Sequence, residues 1–155
     1  MAAWCVDRWA MGADGAAYSS SGVFGTTSPK IVEIDGRFVG ASGNGPPLQM
    51  LQDWGISEPR AVLRKFAEVK PPGDWRVLIV GPEGIDEIDE TLNLSHWTRD
   101  YGAIGIGEPF CLGAMAVIMR EIGPDPDVLV EETMKYAKEH VADCRGPVTI
   151  LRRSA

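Results

Sequence analysis

The sequence predicts an α+β protein built as a four-layer α-β-β-α sandwich, with two stacked sheets and helices on both outer faces. The first observation is the order of its apolar patterns, which runs sheet, helix pair, sheet, helix pair and strand. The second is size, because 155 residues of which 45% are apolar can bury a core without a metal or disulfide. We therefore expect a single domain over residues 1–155.

The N-terminal half is predicted to begin with strands and turns. Residues 3–6 and 9–13 are β-prone and are separated by Asp7-Arg8, so a hairpin is predicted at the N-terminus. The Gly-, Ser- and Thr-rich segment 15–29 is interpreted as an ordered loop, because it is too polar for a core strand. A second hairpin is expected around Asp35-Gly36, since this dipeptide supplies the positive φ angles of a two-residue turn.

Helices are predicted where apolar residues recur at helical spacing near a proline, which a first turn tolerates. They are expected over residues 46–54, over 58–69 with Ser57 as N-cap, from Pro109 to Ile122, and after Asp125 as N-cap. The buried stripes of the last two helices are expected to be Leu112, Met115, Met119 and Ile122, then Val130, Met134, Ala137 and Val141. In the fourth helix, Glu131 and Lys135 are expected to lie one turn apart on the outside. Further strands are expected at 75–80, 84–88, 91–94 and 148–151.

Charge and cysteine content exclude several classes of function. A net charge of -7 opposes nucleic-acid binding, which needs clustered Lys and Arg. With 3 Cys, no CxxC spacing and 2 His there is no convincing zinc set, so we expect neither a metal nor another cofactor. No apolar run approaches the roughly 18 residues of a membrane span, and we expect a soluble, cytoplasmic protein without a membrane partner.

Four short frames occur in an order that carries a resemblance. They are Gly12-Ala-Asp14-Gly15, Lys30-Ile31, Val39-Gly-Ala-Ser-Gly43 and Ala103-Ile-Gly-Ile-Gly107. In this order they resemble the proteasome β-type threonine peptidases, and specifically the small HslV-type peptidase subunit of bacterial ATP-dependent proteases. The resemblance runs from about residue 2 to residue 150, and it implies the fold of the N-terminal nucleophile hydrolases.

The resemblance also implies a site. In that family an N-terminal threonine supplies the attacking hydroxyl and its own amine acts as the base, beside a lysine and an aspartate. By position, Lys30 and Asp14 match those two residues, and Gly40 and Gly43 match the turn that supplies a backbone oxyanion donor. Taken singly, Asp14 is also explained as a turn carboxylate and Lys30 as a surface charge. Their combination with the ordered frames favours a site.

Two positions depart from the family pattern. Ala2 stands where the family has its threonine, and a methyl group offers nothing to activate. Ile106 stands where the family has a serine between two glycines. Because both changes remove oxygen atoms that the chemistry uses, the sequence predicts a subunit that is proteolytically inactive as written.

Two other candidate nucleophiles are set aside. Cys5 lies inside the first predicted strand, where a free cysteine is expected to be a small buried side chain. The serine triplet 19–21 has no neighbouring histidine to act as a base, so a loop role is favoured.

Two alternatives stay open at this point. In one, the chain is an active threonine-type endopeptidase subunit whose residue at position 2 has been replaced by alanine. In the other, it is a structural or adaptor protein that reuses the fold. The resemblance implies a homo-oligomeric ring as the assembly, with an ATP-dependent unfoldase and a polypeptide substrate as partners.

Overall fold

The structure is a computed structural model that describes residues 1–19, 22–25, 29–43 and 47–154, with the side chains of 1–15, 29–43 and 47–153. The first half contains β1 Ala2–Cys5, β2 Arg8–Asp14, β3 Ala16–Ser19, β4 Gly22–Gly25, β5 Ile31–Ile34, β6 Arg37–Gly43, α1 Pro47–Trp54 and α2 Pro59–Val69. The second half contains β7 Trp75–Gly81, β8 Gly84–Asp89, β9 Leu94–His96, β10 Tyr101–Gly102, α3 Glu108–Ile122, α4 Pro126–His140 and β11 Val148–Ser154.

Two antiparallel sheets form the centre of the fold. One has four strands in the order β10-β1-β2-β11, and the other has five in the order β5-β6-β7-β8-β9. The Asp35-Gly36 turn joins β5 to β6 as predicted, with φ angles of 50° and 78°. Among the described helices, none is long and apolar enough to cross a bilayer.

Both faces of the five-stranded sheet are buried. In β7, Leu78 and Val80 pack between the two sheets, whereas Val77 and Ile79 pack on the outer side with α1 and α2. Successive residues of a strand point to opposite faces, so a strand that is buried on both faces has a continuous run of apolar residues in its sequence. The four-stranded sheet is covered in the same way by α3 and α4.

Three apolar layers follow from this arrangement and confirm the four-layer fold. The layer between the sheets is Ala2, Trp9, Met11, Ile31, Phe38, Leu78, Val80 and Ile85. The layer under α1 and α2 includes Val39, Leu51, Val62, Phe66, Trp75, Val77 and Ile79. The layer under α3 and α4 includes Ala3, Ala10, Met115, Leu129, Val130 and Met134.

The segment predicted as a loop contains a hairpin. β3 and β4 pair from Ala16 with Gly25 to Ser19 with Gly22, and they form a two-stranded sheet of their own. The other predicted loop residues, 20–21 and 26–28, lie outside the described part of the chain. Strand pairing satisfies backbone N–H and C=O groups whatever the side chains are, so these two strands pair without the alternating apolar pattern of a core strand.

Two predictions about α2 and α3 were wrong. The N-cap of α2 is Glu58 and not Ser57, because Pro59 holds the first helical position and keeps the residue before it extended. In α3 the buried residues are Cys111, Met115 and Ile118, while the predicted Ile122 is exposed. The helix lies on the sheet at a different rotation from the one that its apolar stripe indicated.

The fourth helix follows the prediction more closely. Val130, Met134 and Ala137 are buried as expected, and Asp125 is the N-cap. Glu131 and Lys135 are both exposed one turn apart, as predicted, but each contacts another residue. Lys135 lies 3.6 Å from Glu132, and Glu131 contacts Arg152 of β11 at 2.7 Å. The predicted strand at 91–94 is instead β9, and β11 continues past residue 151 along β2.

The N-cap of α4 generates a stability prediction. The Asp125 carboxylate accepts hydrogen bonds from the N–H groups of Asp127 and Val128 and pairs with Arg8 at 3.2 Å. Burial alone would raise the pKa of Asp125, but the Val128 hydrogen bond, the Arg8 charge and the Asp127 hydrogen bond together lower it. Asp125→Ala is expected to reduce the free energy of unfolding at pH 7 by about 1 kcal/mol, measured by urea unfolding.

The pH dependence follows from the direction of that shift. A carboxylate whose folded pKa is depressed stabilises the fold above its unfolded pKa and loses this contribution as pH falls through its folded pKa. The difference between the native chain and Asp125→Ala should therefore shrink below about pH 4. Asp127→Ala, which removes one Arg8 contact and leaves the cap, is the matched control and should cost less. An equal cost for both variants would contradict the cap assignment.

Candidate active site

A cavity of about 860 Å³ lies where strands of both sheets end. Asp14 closes β2, Lys30 precedes β5, and Gly40 and Gly43 lie in β6. Four of the five predicted site residues line this cavity and Ala2 does not; the segment 103–107 that leads into α3 also lines it. The structure therefore brings together residues that are far apart in the sequence.

The Lys30 ammonium and the Asp14 carboxylate form an ion pair across the two sheets. Lys30 Nζ lies 2.9 Å from Asp14 Oδ1, and both side chains are largely buried. The other carboxylate oxygen, Oδ2, accepts a long hydrogen bond of 3.4 Å from the Arg145 backbone N–H. The Lys30 carbonyl is bound by the N–H of Ala41 at 3.1 Å, which ties the residue before β5 to β6.

The segment between α4 and β11 holds Asp14 from the far side. The Gly15 N–H donates to the Arg145 carbonyl at 3.1 Å. A side chain at Gly15 would meet the carbonyl oxygen of Pro147 at 2.9 Å, and Gly146 has a φ of +79°. These glycines allow the two backbones to touch, and the contact fixes the position of the aspartate.

Gly40 and Gly43 differ in how strictly they require glycine. A Cβ at Gly40 would lie 3.1 Å from both the Met11 sulfur and the Ile31 Cγ2, which are side-chain atoms that can shift. Gly43 has a φ of +96°, and a Cβ there would lie 2.1 Å from the carbonyl oxygen of Asp74. Only glycine fits the backbone at Gly43, so the end of β6 at the cavity wall depends on it. The segment predicted as a glycine-rich turn, 39–43, is strand as far as Gly43, where it pairs with Trp75.

Residue 2 lies next to the cavity and not in its wall. Ala2 is fully buried between the sheets, where it pairs with Met11, and Met1 is the residue that lines the cavity. The α-amine of Met1 donates to the Gly12 carbonyl at 2.9 Å. Burial lowers the pKa of this amine, although the nearby Cys111 and Asp14 act to raise it. Met1 lies in the same cavity wall as Asp14 and Lys30.

Ile106, which stands where the resemblance implies a serine, is exposed to solvent. Ile106 lines the cavity with 67% of its surface exposed. Its neighbour Gly105 has a φ of +97°, and a Cβ there would lie 3.8 Å from the Ser42 hydroxyl oxygen. Ser42 therefore places a hydroxyl in the cavity wall, and it was missed although it stands between Gly40 and Gly43 in the turn that the sequence singled out.

A second charged group in the wall was also missed. Arg76 of β7 pairs with Glu87 of β8 at 3.3 Å and with Glu108 in the first turn of α3. Burial raises the pKa of Glu87 despite the Arg76 charge. The guanidinium thus ties the start of α3, and the 103–107 segment before it, to the five-stranded sheet. Nothing in the spacing of these residues indicated the contact.

Two of the three cysteines lie at the cavity and the third lies in β1. Cys111 and Cys144 line the cavity, whereas Cys5 is half-buried in β1. Burial raises the pKa of Cys111 to about 11, and burial and the Asp14 charge raise the pKa of Cys144. Among the described residues, no group of three or more His, Cys, Asp and Glu side chains is arranged to hold a metal ion.

Solved structures share this architecture over almost the whole chain. Thiobacillus denitrificans BPH in complex with epoxomicin superposes with a TM-score of 0.82 and 18% identity, covering 99% of this chain and 96% of that one. Eukaryotic HslV from Trypanosoma brucei superposes with a TM-score of 0.80 and 15% identity, covering 99% and 98%. The fold is that of HslV-type subunits. No protein-family model matches the chain, and no curated protein matches it by sequence.

The backbone conformation of Gly43 at the end of β6 generates a prediction with a matched control. Gly43→Ala should reduce the free energy of unfolding by roughly 3 kcal/mol, because a side chain is strained at this φ and collides with the Asp74 carbonyl. Gly113→Ala is the control, since Gly113 is helical with nothing within 4 Å of a new Cβ. It should stabilise the chain by roughly 0.5–1 kcal/mol in the same urea titration. Similar changes in the free energy of unfolding for both variants would refute the requirement for glycine at residue 43.

Proposed function

We propose that the chain is a subunit of a proteasome-like, HslV-type ring that keeps the charged part of a threonine peptidase site and lacks its nucleophile. The observation that carries the proposal is the Lys30–Asp14 pair, 2.9 Å apart, in a cavity beside the start of β1, where residue 2 has only a methyl side chain. The fold shared with BPH and HslV structures supports it.

In an active site of this kind each residue would have a distinct role. The Lys30 ammonium would disfavour a second positive charge on a neighbouring amine and so keep that amine able to accept a proton. Asp14 would hold the lysine charged and in place. The main chain at Gly40 and Gly43 would approach a substrate carbonyl closely enough to donate hydrogen bonds to the developing oxyanion.

The missing step is the attack itself. A covalent mechanism needs a hydroxyl or thiol on the residue that the amine activates, and alanine supplies neither. Neither cysteine at the cavity replaces it well, because burial raises the pKa of both thiols and keeps them protonated at neutral pH. What remains is a shaped, charged cavity that could receive a polypeptide without cleaving it.

Self-association is the second part of the proposal. Large apolar side chains are exposed on the outer helix layer made by α3 and α4, namely Val117, Ile122 and Tyr136. Scattered exposed apolar residues are ordinary, but three on one layer suit a surface that a second copy covers. A closed ring of copies would enclose the cavities in a chamber, to which an ATP-dependent unfoldase would deliver polypeptide.

Restoring the nucleophile tests the catalytic part. The chain as written should not cleave a fluorogenic peptide. Ala2→Thr with Met1 removed, and the same change combined with Ile106→Ser, should gain cleavage if the rest of the site is intact. Intact mass verifies the new terminus. Epoxomicin serves as a binding probe, since it is present with the BPH structure, and it should bind the threonine variants more tightly than the native chain.

Two lysine variants separate site chemistry from general effects. In the threonine background, Lys30→Ala should reduce cleavage by at least about 100-fold, while Lys138→Ala, at an exposed position on α4, should leave it unchanged. Cleavage by the native chain that Lys30→Ala abolishes would overturn the proposed inactivity. No cleavage and no epoxomicin binding by correctly processed, folded threonine variants would overturn the view that the charged site is intact.

The oligomeric state tests the assembly. Light scattering on the purified chain at micromolar concentration should give the mass of a closed homo-oligomer. Val117→Asp should shift the chain toward monomer, whereas Val69→Asp on α2 should not, although both valines are 51% exposed. A native monomer at this concentration would refute the ring, and equal dissociation by both variants would refute the α3–α4 surface as the interface.

A further inference from the structure

Two thiols that the proposed peptidase chemistry does not use converge beside the cavity. A Cβ built on Gly107 would lie 3.3 Å from the sulfur of Cys144 and 3.7 Å from the sulfur of Cys111. Both sulfur atoms therefore border the same small space, which exists because residue 107 has no side chain. The two residues also belong to one apolar cluster with Ala103 and Ala137.

The two cysteines come from separate elements and differ in exposure. Cys111 is buried in the first turn of α3, where its N–H donates to the Gly107 carbonyl at 2.9 Å. Cys144 is half-buried in the segment 141–147, which has neither helix nor strand. One thiol thus lies on a helix, and the other lies on a connection outside the helices and strands.

We propose that Cys111 and Cys144 form a reversible disulfide, which makes the cavity wall responsive to oxidation by a peroxide. The more exposed Cys144 thiolate attacks one oxygen of hydrogen peroxide, the O–O bond breaks, and hydroxide leaves as Cys144 becomes a sulfenic acid. The Cys111 sulfur then attacks the Cys144 sulfur, the S–O bond breaks and water leaves. A thiol reductant reverses the reaction by exchange.

The location of Cys144 gives this bond a consequence at the candidate site. The next residue, Arg145, donates its backbone N–H to Asp14 and accepts a hydrogen bond from Gly15 through its carbonyl. Bringing the two sulfurs, which lie on either side of the space at Gly107, to the bond length of about 2.05 Å pulls the 141–147 segment toward α3. Oxidation is therefore expected to change how firmly Asp14 is held, whether or not the chain is a peptidase subunit.

Oxidation of the purified chain with hydrogen peroxide tests the proposal. Free thiols are blocked with N-ethylmaleimide under denaturing conditions, and the chain is digested without reduction. Mass spectrometry should show a peptide pair joined through Cys111 and Cys144 that has lost two hydrogens, and dithiothreitol should separate it. Because burial raises the pKa of both thiols, the disulfide should form faster at pH 9 than at pH 7.

Cys5 provides the matched control. It lies in β1, away from the cavity wall, with its sulfur 3.8 Å from the carbonyl of Val6. Cys5→Ser should leave the linked peptide unchanged, while Cys144→Ser should abolish it and leave Cys111 blocked by N-ethylmaleimide. Circular dichroism confirms that each variant is folded, and Cys111→Ala replaces Cys111→Ser if the polar side chain unfolds the buried site.

Three outcomes would overturn the disulfide. The first is a linkage that always includes Cys5, within or between chains. The second is oxidation of Cys144 to a sulfinic acid while Cys111 remains free. The third is full blocking of both thiols after peroxide treatment that oxidises the half-buried Met50 and Met119. Since none of these readouts involves peptide cleavage or oligomeric state, failure here is distinguishable from failure of the proposed function.

Discussion

Burial of both faces of both sheets is the constraint on which the rest of the structure depends. Leu78 and Val80 fill the space between the sheets while their neighbours Val77 and Ile79 fill the layer under the helices. A sheet covered on both sides leaves little room for polar groups, so charged side chains stand mainly at strand ends, at the cavity and on outer surfaces. Asp14 and Lys30 stand at such ends, one in each sheet, where the apolar layer stops.

Their pairing follows from that position. A largely buried carboxylate or ammonium is costly alone, and each supplies what the other lacks, with the Arg145 N–H as a further partner of the carboxylate. The pair therefore has a structural use in linking the two sheets and the 141–147 segment, independent of any reaction. This structural use does not require a reactive group at residue 2.

The cavity wall is formed partly by helices and strands and partly by a connection outside them. Gly43 is held by a conformation that only glycine adopts without strain, and Arg76 clamps the start of α3 to the sheet. By contrast, Cys144 and Arg145 belong to a connection that regular hydrogen-bonding patterns do not hold. The rigid parts shape the cavity, while the connection is where a chemical change such as thiol oxidation would act on the position of Asp14.

The sequence by itself determined the local features and the layer order. The Asp35-Gly36 turn, the Asp125 cap and the stripe of α4 depend on residues close in the chain, and the ordered frames predicted the fold and the meeting of Asp14 with Lys30. Only the tertiary structure decided the rotation of α3, the β3–β4 hairpin, and the approach of Ser42, Arg76 and the cavity thiols. Local geometry depends on neighbours in sequence, whereas these contacts depend on how separate layers pack. The periodicity of apolar residues shows which face of an element is buried, but not which residues of another layer it contacts.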